Sequence, residues 1–253
     1  MGLAVADEPV SNRNREVRRA SRAAEEDIVG ERITFKANGT MTPGYLARPA
    51  SPGPGVIVIQ EWWGLVPHIE NVADRFAAEG FVALAPDLFH GRTAKSPDEA
   101  GKLMMSLRIE EAARDLAAAI DALAARPEVT GSAVGTIGFC MGGALSLFAA
   151  CRNSKVGACV VFYGGHPNVK PDLPALQSAV LGIFAGKDTF VTPQVVADLD
   201  RRLTELGKAH SFHTYPDAAH AFFNDDRPEV YDRRAASDAW AKTLAFLRRE
   251  LHA

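Results

Sequence analysis

The sequence predicts an α/β fold in which helices flank both faces of a mostly parallel, doubly wound sheet. Short runs rich in Val and Ile, typical of strands buried on both faces, alternate along the chain with segments of helical periodicity. Glycine or proline closes many of these segments, as expected where strands and helices end in turns. With 253 residues and 47% apolar content, the chain is large enough for one such domain.

The strands and helices are predicted in order from composition and periodicity. The first half contains strands at 33–36 and 44–48 joined by a turn at Asn38-Gly39, a strand at 55–60, a helix at 68–79 and a strand at 81–85 that ends at Pro86. The second half contains a helical region at 97–126 broken near 106–110, a strand at 133–138, a helix at 141–151, strands at 156–163 and 180–186, a helix at 193–205 with proline in its first turn, a strand at 211–215 and a helix at 229–251.

The domain prediction separates an N-terminal arm, residues 1–28, from a single α/β domain, residues 29–253. Residues 1–27 carry five Arg against six Asp and Glu, so we expect a solvated, loosely packed arm, with a role in subunit contact as the alternative. The arm has no apolar stretch suited to a signal peptide or a membrane span.

Charge and cysteine content narrow the function classes. A net charge of -3 and a pI near 6.2 give no electrostatic reason to expect binding to nucleic acid or to an anionic membrane. Three cysteines without a C-x-x-C spacing suggest neither a disulfide framework nor a zinc site. We therefore expect a cytoplasmic protein, a monomer or a homodimer, that needs no metal or cofactor and acts on a small molecule.

The most informative motif is Gly138-Phe139-Cys140-Met141-Gly142, which lies between a predicted strand and a predicted helix. A nucleophile at such an elbow takes a strained backbone conformation and needs small residues two positions before and after it, which Gly138 and Gly142 provide. Two other interpretations stay open for the motif alone. It could be a turn around a structural cysteine, or a dinucleotide loop, although Cys140 replaces the second glycine of that fingerprint.

Two further residues follow later strands and complete a possible triad. Asp188 follows the strand at 180–186, and His220 follows the strand at 211–215. Taken singly, each is more typical of an ordinary turn or loop. The order nucleophile, acid, histidine is that of α/β-hydrolases, and an imidazole oriented by a carboxylate supplies the base that a thiol needs.

The remaining parts of an acyl-transfer site are predicted beside the elbow. The backbone amides of Met141 and Trp62 are the candidate donors to an oxyanion. Glu61 lies in the same loop as Trp62, where it is either a surface carboxylate or a group that controls the proton of Cys140. Trp63 is a candidate for the substrate pocket, with core or interface packing as the alternative.

Together these residues resemble the dienelactone hydrolase family, also called carboxymethylenebutenolidases, from about residue 32 to the end of the chain. The matching motifs are Gln60-Glu61 with the aromatic residues and Gly64 that follow, Pro86-Asp87-Leu88, the Cys140 elbow, Gly186-Lys187-Asp188 and His220-Ala221-Phe222. The resemblance implies that Cys140 is the nucleophile, His220 the base and then the acid, Asp188 the residue that orients His220, and Glu61 the switch between thiol and thiolate. It also implies opening of an enol-lactone, of the dienelactone to maleylacetate type, through an acyl thioester.

The residues that bind substrate in this family are matched less completely in this sequence than the catalytic residues are. Members that act on dienelactone resemble one another in two arginines that bind its carboxylate; Arg92 matches the first, whereas Asn224 stands at the second. Asn cannot make a charged bidentate contact with a carboxylate. If the substrate carries a carboxylate, Arg227 would have to extend back to this position to bind it. A thioesterase or an acyl-transfer enzyme on the same triad is the alternative function. A ligand receptor or a redox sensor is disfavoured, because the triad is complete and Cys151 is too distant along the helix to pair with Cys140.

Overall fold

The computed structural model describes residues 29–252, which form one eight-stranded sheet flanked by six α-helices. The predicted arm, residues 1–28, lies outside the described residues. In chain order the elements are β1 (Val29–Ala37), β2 (Thr40–Arg48), β3 (Gly53–Ile59), α1 (Pro67–Ala78), β4 (Val82–Pro86), α2 (Pro97–Ser106), α3 (Ile109–Ala124), β5 (Val129–Phe139), α4 (Met141–Arg152), β6 (Val156–Phe162), β7 (Ala179–Ala185), α5 (Pro193–Glu205), β8 (His210–Tyr215) and α6 (Arg233–Glu250).

The strand order is β1-β2-β4-β3-β5-β6-β7-β8. β1 pairs with β2 and β2 with β4 in antiparallel fashion, and the other neighbours are parallel. The chain thus runs from β3 to β4 in one direction across the sheet and then back past β3 to β5. This reversal places α1, which connects β3 to β4, and α3, which leads from β4 to β5, on opposite faces of the sheet. This topology confirms the predicted fold class, a mostly parallel and doubly wound sheet.

The first two strands form a hairpin with a two-residue turn. Ala37 pairs with Thr40, so that Asn38 and Gly39 alone make the turn, and both have positive φ, 50° and 79°. This geometry fits the right-handed twist of the flanking strands, and Asn-Gly is the sequence that tolerates it best. The predicted turn is confirmed, although β2 begins at the turn rather than at residue 44.

Each face of the sheet buries its own apolar layer. On one face, Val72 and Phe76 of α1 and Leu247 of α6 join the core. On the other, side chains of α3 and α4 such as Leu116 and Leu145 cover the sheet. Burial on both faces explains why β3, β4 and β6 are almost continuously apolar. Among residues 29–252, no helix combines the length and the hydropathy needed to cross a bilayer.

The starts of β5 and α6 also differ from the sequence predictions, each for an identifiable reason. β5 begins at Val129 rather than 133, because Val129 and Thr130 pair with the start of β3; these residues are not fully buried and show no apolar run. The last helix begins at Arg233 rather than 229, because the Asp232 side chain accepts hydrogen bonds from two backbone amides of the first turn.

The sheet brings every candidate catalytic residue to one edge. Glu61 follows β3, Cys140 follows β5, Asp188 follows β7 and His220 follows β8. These are parallel strands, whose carboxyl ends meet at the same side of the sheet, where ligands of doubly wound folds bind. The order of the strands therefore positions the site.

Around the connection between β5 and α4, the three glycine positions leave no room for a side chain. A Cβ on Gly138 would lie 1.9 Å from the Gly142 carbonyl oxygen, and one on Gly142 would lie 2.4 Å from the Ile59 carbonyl oxygen. Gly143 is equally restricted, because a Cβ there would lie 2.7 Å from the Gly164 Cα. All three contacts involve backbone atoms, which cannot move away without displacing a strand or a helix.

We expect Gly142→Ala to lower the free energy of unfolding by about 2 kcal/mol or more, since overpacking against backbone cannot be relieved by a side-chain rotation. Gly101→Ala is the matched control. Gly101 lies inside α2, and a Cβ there would meet only the Trp62 ring, at 4.0 Å. Removing a helical glycine there should raise stability by roughly 0.5–1 kcal/mol. Urea denaturation measures both variants, and equal effects would contradict the account of the elbow.

Candidate active site

Cys140 joins β5 to α4 in a strained conformation. Its φ of 54° and ψ of -119° lie in a region that L-residues rarely adopt. Four backbone hydrogen bonds hold it there: its amide donates to Phe162 O at 3.0 Å, and its carbonyl accepts from the amides of Gly143, Ala144 and Gly165. The side chain is half-buried, packs against the core on one part of its surface and borders a cavity. Strain maintained in this way is typical of a functional residue.

His220 and Asp188 form the pair that the sequence predicts. The distance between His220 Nδ1 and Asp188 Oδ2 is 2.6 Å, and Asp188 is buried. The other carboxylate oxygen of Asp188 accepts from the amides of Phe190 and Val191 at 2.8 and 2.9 Å. Because Nδ1 carries the proton donated to Asp188, the Nε2 edge of the imidazole is left for chemistry.

The surroundings of His220 favour its protonated form. Burial of the ring lowers the pKa of His220, but the hydrogen bonds and the charges of Asp188 and Cys140 outweigh this effect and raise the pKa to about 10. Cys140 and His220 also border the same cavity. The arrangement therefore suits a thiolate and imidazolium pair, with Asp188 stabilising the positive charge.

Glu61 lies in the loop after β3 and borders the same cavity as Cys140. It is 2% exposed, and its Oε2 accepts a hydrogen bond from Asn224 Nδ2 at 2.7 Å. Its Oε1 is buried and has no hydrogen-bond partner among residues 29–252. Gln60 fixes the start of the loop by accepting a hydrogen bond from the Leu88 amide at 3.1 Å. A buried carboxylate oxygen without a partner is costly, so its position beside the thiol calls for a functional reason.

The two predicted oxyanion donors occupy suitable positions in the backbone. Met141 is the first residue of α4, so its amide has no acceptor within the helix. The Trp62 amide donates to no group among residues 29–252, and the Trp62 side chain lines the cavity. Their role as an oxyanion hole stays a prediction.

The structure brings the predicted substrate-binding residues together only in part. Arg92 and Trp63 are not among the described residues that line the cavity. Arg92 Nε donates to Phe89 O at 3.3 Å, and the Trp63 ring lies 5.7 Å from the Arg227 guanidinium. Asn224 contacts Glu61 instead of facing the cavity, whereas Arg227 does line it. Contact of Arg92, Trp63 and Asn224 with a substrate stays a prediction.

Two residues beside the site carry no motif that would identify them in the sequence. The Tyr163 ring lies 5.1 Å from the His220 ring, with φ at 37° and a buried hydroxyl that has no partner within 29–252. Burial, and then the charges of Glu61 and Cys140, raise the pKa of Tyr163 well above its usual value. Phe190 lies 5.3 Å from the His220 ring and is 74% exposed. The only sequence signals were their places after β6 and two residues beyond Asp188.

Comparison with known proteins agrees with this geometry. A sequence profile of the dienelactone hydrolase family matches residues 42–251. A protein of Aquifex pyrophilus, named protein usf, is 39% identical over 230 residues, covering 88% of this chain and all of that protein. A protein of Aquifex aeolicus, provisionally named a carboxymethylenebutenolidase, is 34% identical over 227 residues, covering 87% and 98% of the two chains.

Solved structures give the same result. A protein of Klebsiella pneumoniae described as a provisional dienelactone hydrolase superposes with a TM-score of 0.80 at 28% identity, covering 88% of this chain and 99% of that one. A dienelactone hydrolase-like promiscuous phosphotriesterase from metagenomic libraries also reaches 0.80, at 26% identity. These matches cover nearly the whole described domain. The chain therefore belongs to the dienelactone hydrolase family and is an α/β-hydrolase-fold enzyme of the carboxylic ester hydrolase class.

Proposed function

We propose that this enzyme hydrolyses small lactones or activated esters, of the dienelactone to maleylacetate type, through an acyl thioester on Cys140. The observation that carries the proposal is the joint placement of a strained thiol and a carboxylate-bound imidazole, that of His220, at one cavity. Such a constellation performs nucleophilic acyl transfer. The same first step would serve a thioesterase or an acyltransferase, which differ in leaving group or acceptor.

The proposed reaction has two halves. When substrate binds, the Cys140 thiol gives its proton to Glu61, the sulfur attacks the carbonyl carbon, and the resulting oxyanion accepts hydrogen bonds from the amides of Met141 and Trp62. The bond to the leaving oxygen breaks, His220 gives that oxygen its proton, and an acyl thioester remains. His220 then removes a proton from water, the hydroxide attacks the thioester, the C–S bond breaks to release the carboxylic acid, and the Cys140 thiolate takes its proton back from Glu61. In a lactone, the leaving oxygen stays attached to the product.

Glu61 is proposed to keep Cys140 a thiol in the resting enzyme and to accept its proton when substrate binds. Its unpartnered Oε1 is an acceptor available at the cavity, while Asn224 binds the other oxygen and fixes the carboxylate. Asn224 is neutral, so it holds Glu61 in place without neutralising its charge. The carboxylate therefore keeps its capacity to accept a proton next to the nucleophile.

The proposed chemistry requires a reduced thiol. Cys140, Cys151 and Cys159 are all free, and Cys140 is the one at the cavity, whereas the other two are buried. A reducing compartment such as the cytoplasm suits this requirement, and it remains part of the proposal.

Replacing Cys140 with alanine tests the proposal directly. Cys140→Ala should lower kcat/KM for an activated aryl ester by a factor of about 10³ or more, because the nucleophile is lost. Cys151→Ala is the matched control, since it also removes a free thiol but lies in the core away from the cavity, and it should retain activity. Steady-state hydrolysis of p-nitrophenyl acetate measures both. Parent-like activity in Cys140→Ala would overturn the mechanism.

Asp188→Asn should lower the pKa of His220, because the neutral amide no longer stabilises imidazolium. NMR titration of the ring should show the midpoint lower by about one pH unit or more. Because the pKa of His220 is raised in the folded protein, the His220–Asp188 pair stabilises the fold fully below about pH 6.5, which is the pKa of histidine in the unfolded chain. This stabilisation is lost progressively as the pH rises through about 10. The stability difference between parent and Asp188→Asn should therefore shrink from neutral to alkaline pH; a constant difference would contradict this.

Glu61→Gln should lower kcat/KM by roughly 10²-fold, because glutamine keeps the shape of the side chain but cannot accept the proton of Cys140. The pH profile should also change shape, which a loss of packing alone would not cause. Glu205→Gln, on the exposed end of α5, is the control and should behave as the parent. An unchanged pH profile in Glu61→Gln would remove Glu61 from the proton transfer.

A further inference from the structure

The cavity beside Cys140 is much larger than a compact lactone requires. Its volume is about 690 Å³, within the range of pockets that enclose drug-sized ligands. Its walls are predominantly apolar. The apolar side chains come from the loop after β3, from α2, from the segment that connects β7 to α5 and from the first turn of α5, and include Trp62, Met104, Phe190, Val191 and Val195.

The mouth of the cavity exposes apolar side chains to solvent. Phe190 is 74% exposed and Val195 50% exposed, and both line the cavity. Both lie at the N-terminal side of α5, and the Phe190 ring lies 5.3 Å from the His220 ring. Single exposed apolar residues are ordinary, but two at the opening of a catalytic cavity form an apolar lip that a ligand chain would cover.

The opposite wall is formed by α2, which is loosely attached to the domain. Of its residues only Ala100 is buried, while Pro97 and Met104 line the cavity. His166 secures the end of α2: its Nδ1 accepts from the Asn168 amide at 3.0 Å, so its Nε2 donates to Met104 O at 3.2 Å. This tautomer is neutral, and the ring adds no charge to the cavity wall.

The cations of the described lining, which are Lys187, Arg227 and protonated His220, already have carboxylate partners, and that of His220 is Asp188. Lys187 Nζ lies 3.2 Å from Asp217 Oδ1, and Arg227 lies 2.8 Å from Glu229 Oε1. The carboxylate of Glu61, with one oxygen unpaired, borders the same cavity as Cys140 and opposes an anionic group on the substrate. Asn224, at the position of a family arginine, supplies no compensating charge.

From these observations we infer that the enzyme prefers neutral esters with an extended apolar acyl chain over compact carboxylated lactones. The inference rests on the proposed function and narrows its substrate class. The acyl group stays attached to Cys140 through both halves of the reaction, so it is the part of the substrate that the apolar cavity must accommodate. The chain extends between α2 and the lip formed by Phe190 and Val195.

A series of p-nitrophenyl esters tests this preference with a constant leaving group. In the parent, kcat/KM for the octanoate should exceed that for the acetate by about 30-fold or more, because six further methylene groups are partly removed from water. An ester bearing a terminal carboxylate should be hydrolysed more slowly than its neutral counterpart of the same length. A ratio near one, or a preference for the carboxylated ester, would overturn the inference.

Val195→Asp places a charge on the apolar lip without threatening the fold, since an acidic side chain is favourable in the first turn of a helix. The octanoate-to-acetate ratio should fall about tenfold, because the chain then lies against a charge. Ala197→Asp is the matched control: it is exposed on the same helix but does not line the cavity, and its ratio should equal that of the parent. Equal ratios in the two variants would contradict the placement of the chain.

A binding measurement separates this inference from the hydrolytic mechanism. Octanol should slow alkylation of Cys140 by iodoacetamide, followed by mass spectrometry, more strongly than ethanol or the octanoate anion does. This protection needs no turnover, so it reports on the cavity even if Cys140→Ala showed that the proposed mechanism is wrong. Protection by octanoate that equals or exceeds protection by octanol would overturn the inference while leaving the proposed mechanism intact.

Discussion

The strained backbone of Cys140 is the constraint on which the site depends. A positive φ at a residue with a side chain is unfavourable, and it persists only because the surroundings fix it. β6 binds the Cys140 amide through Phe162, and Gly165 binds its carbonyl. Gly142 lets the start of α4 approach the end of β3. The elbow thus connects three adjacent strands, β3, β5 and β6, and leaves the sulfur at the cavity.

The other residues of the site lie in loops that follow the parallel strands of the same sheet. β3 continues into the loop of Glu61 and Trp62, and β7 and β8 bring Asp188 and His220. The two carboxylates differ in their environments. Asp188 is saturated with hydrogen bonds from two amides and the imidazole, whereas Glu61 keeps one buried oxygen free. The first is suited to stabilising a positive ring, and the second to accepting a proton.

The features that depend on local sequence pattern could be predicted from the sequence alone. Runs buried on both faces identified the inner strands, and the spacing of glycines around Cys140 identified the elbow. The start of β5 was missed because residues 129–133 are paired but incompletely buried, so that hydrophobic periodicity carries no signal there. The order of Cys140, Asp188 and His220 predicted a pair that the structure brings within hydrogen-bonding distance.

Contacts between distant parts of the chain could not be predicted in the same way. Glu61 and Asn224 are 163 residues apart, and nothing in either local sequence indicates that one binds the other. Tyr163 and Phe190 lie against His220 only because the strands converge. Arg92 matches a family position by spacing, yet in the fold it binds the Phe89 carbonyl outside the cavity lining.

The central claim is that Cys140 carries the acyl group during turnover. Rapid acid quenching during hydrolysis of an activated ester, followed by peptide mass spectrometry, tests it most directly. The peptide containing Cys140 should gain the mass of the acyl group early in the reaction and lose it as substrate is exhausted. An acyl group found on another residue, or turnover with no acyl group on Cys140 at any time, would contradict it.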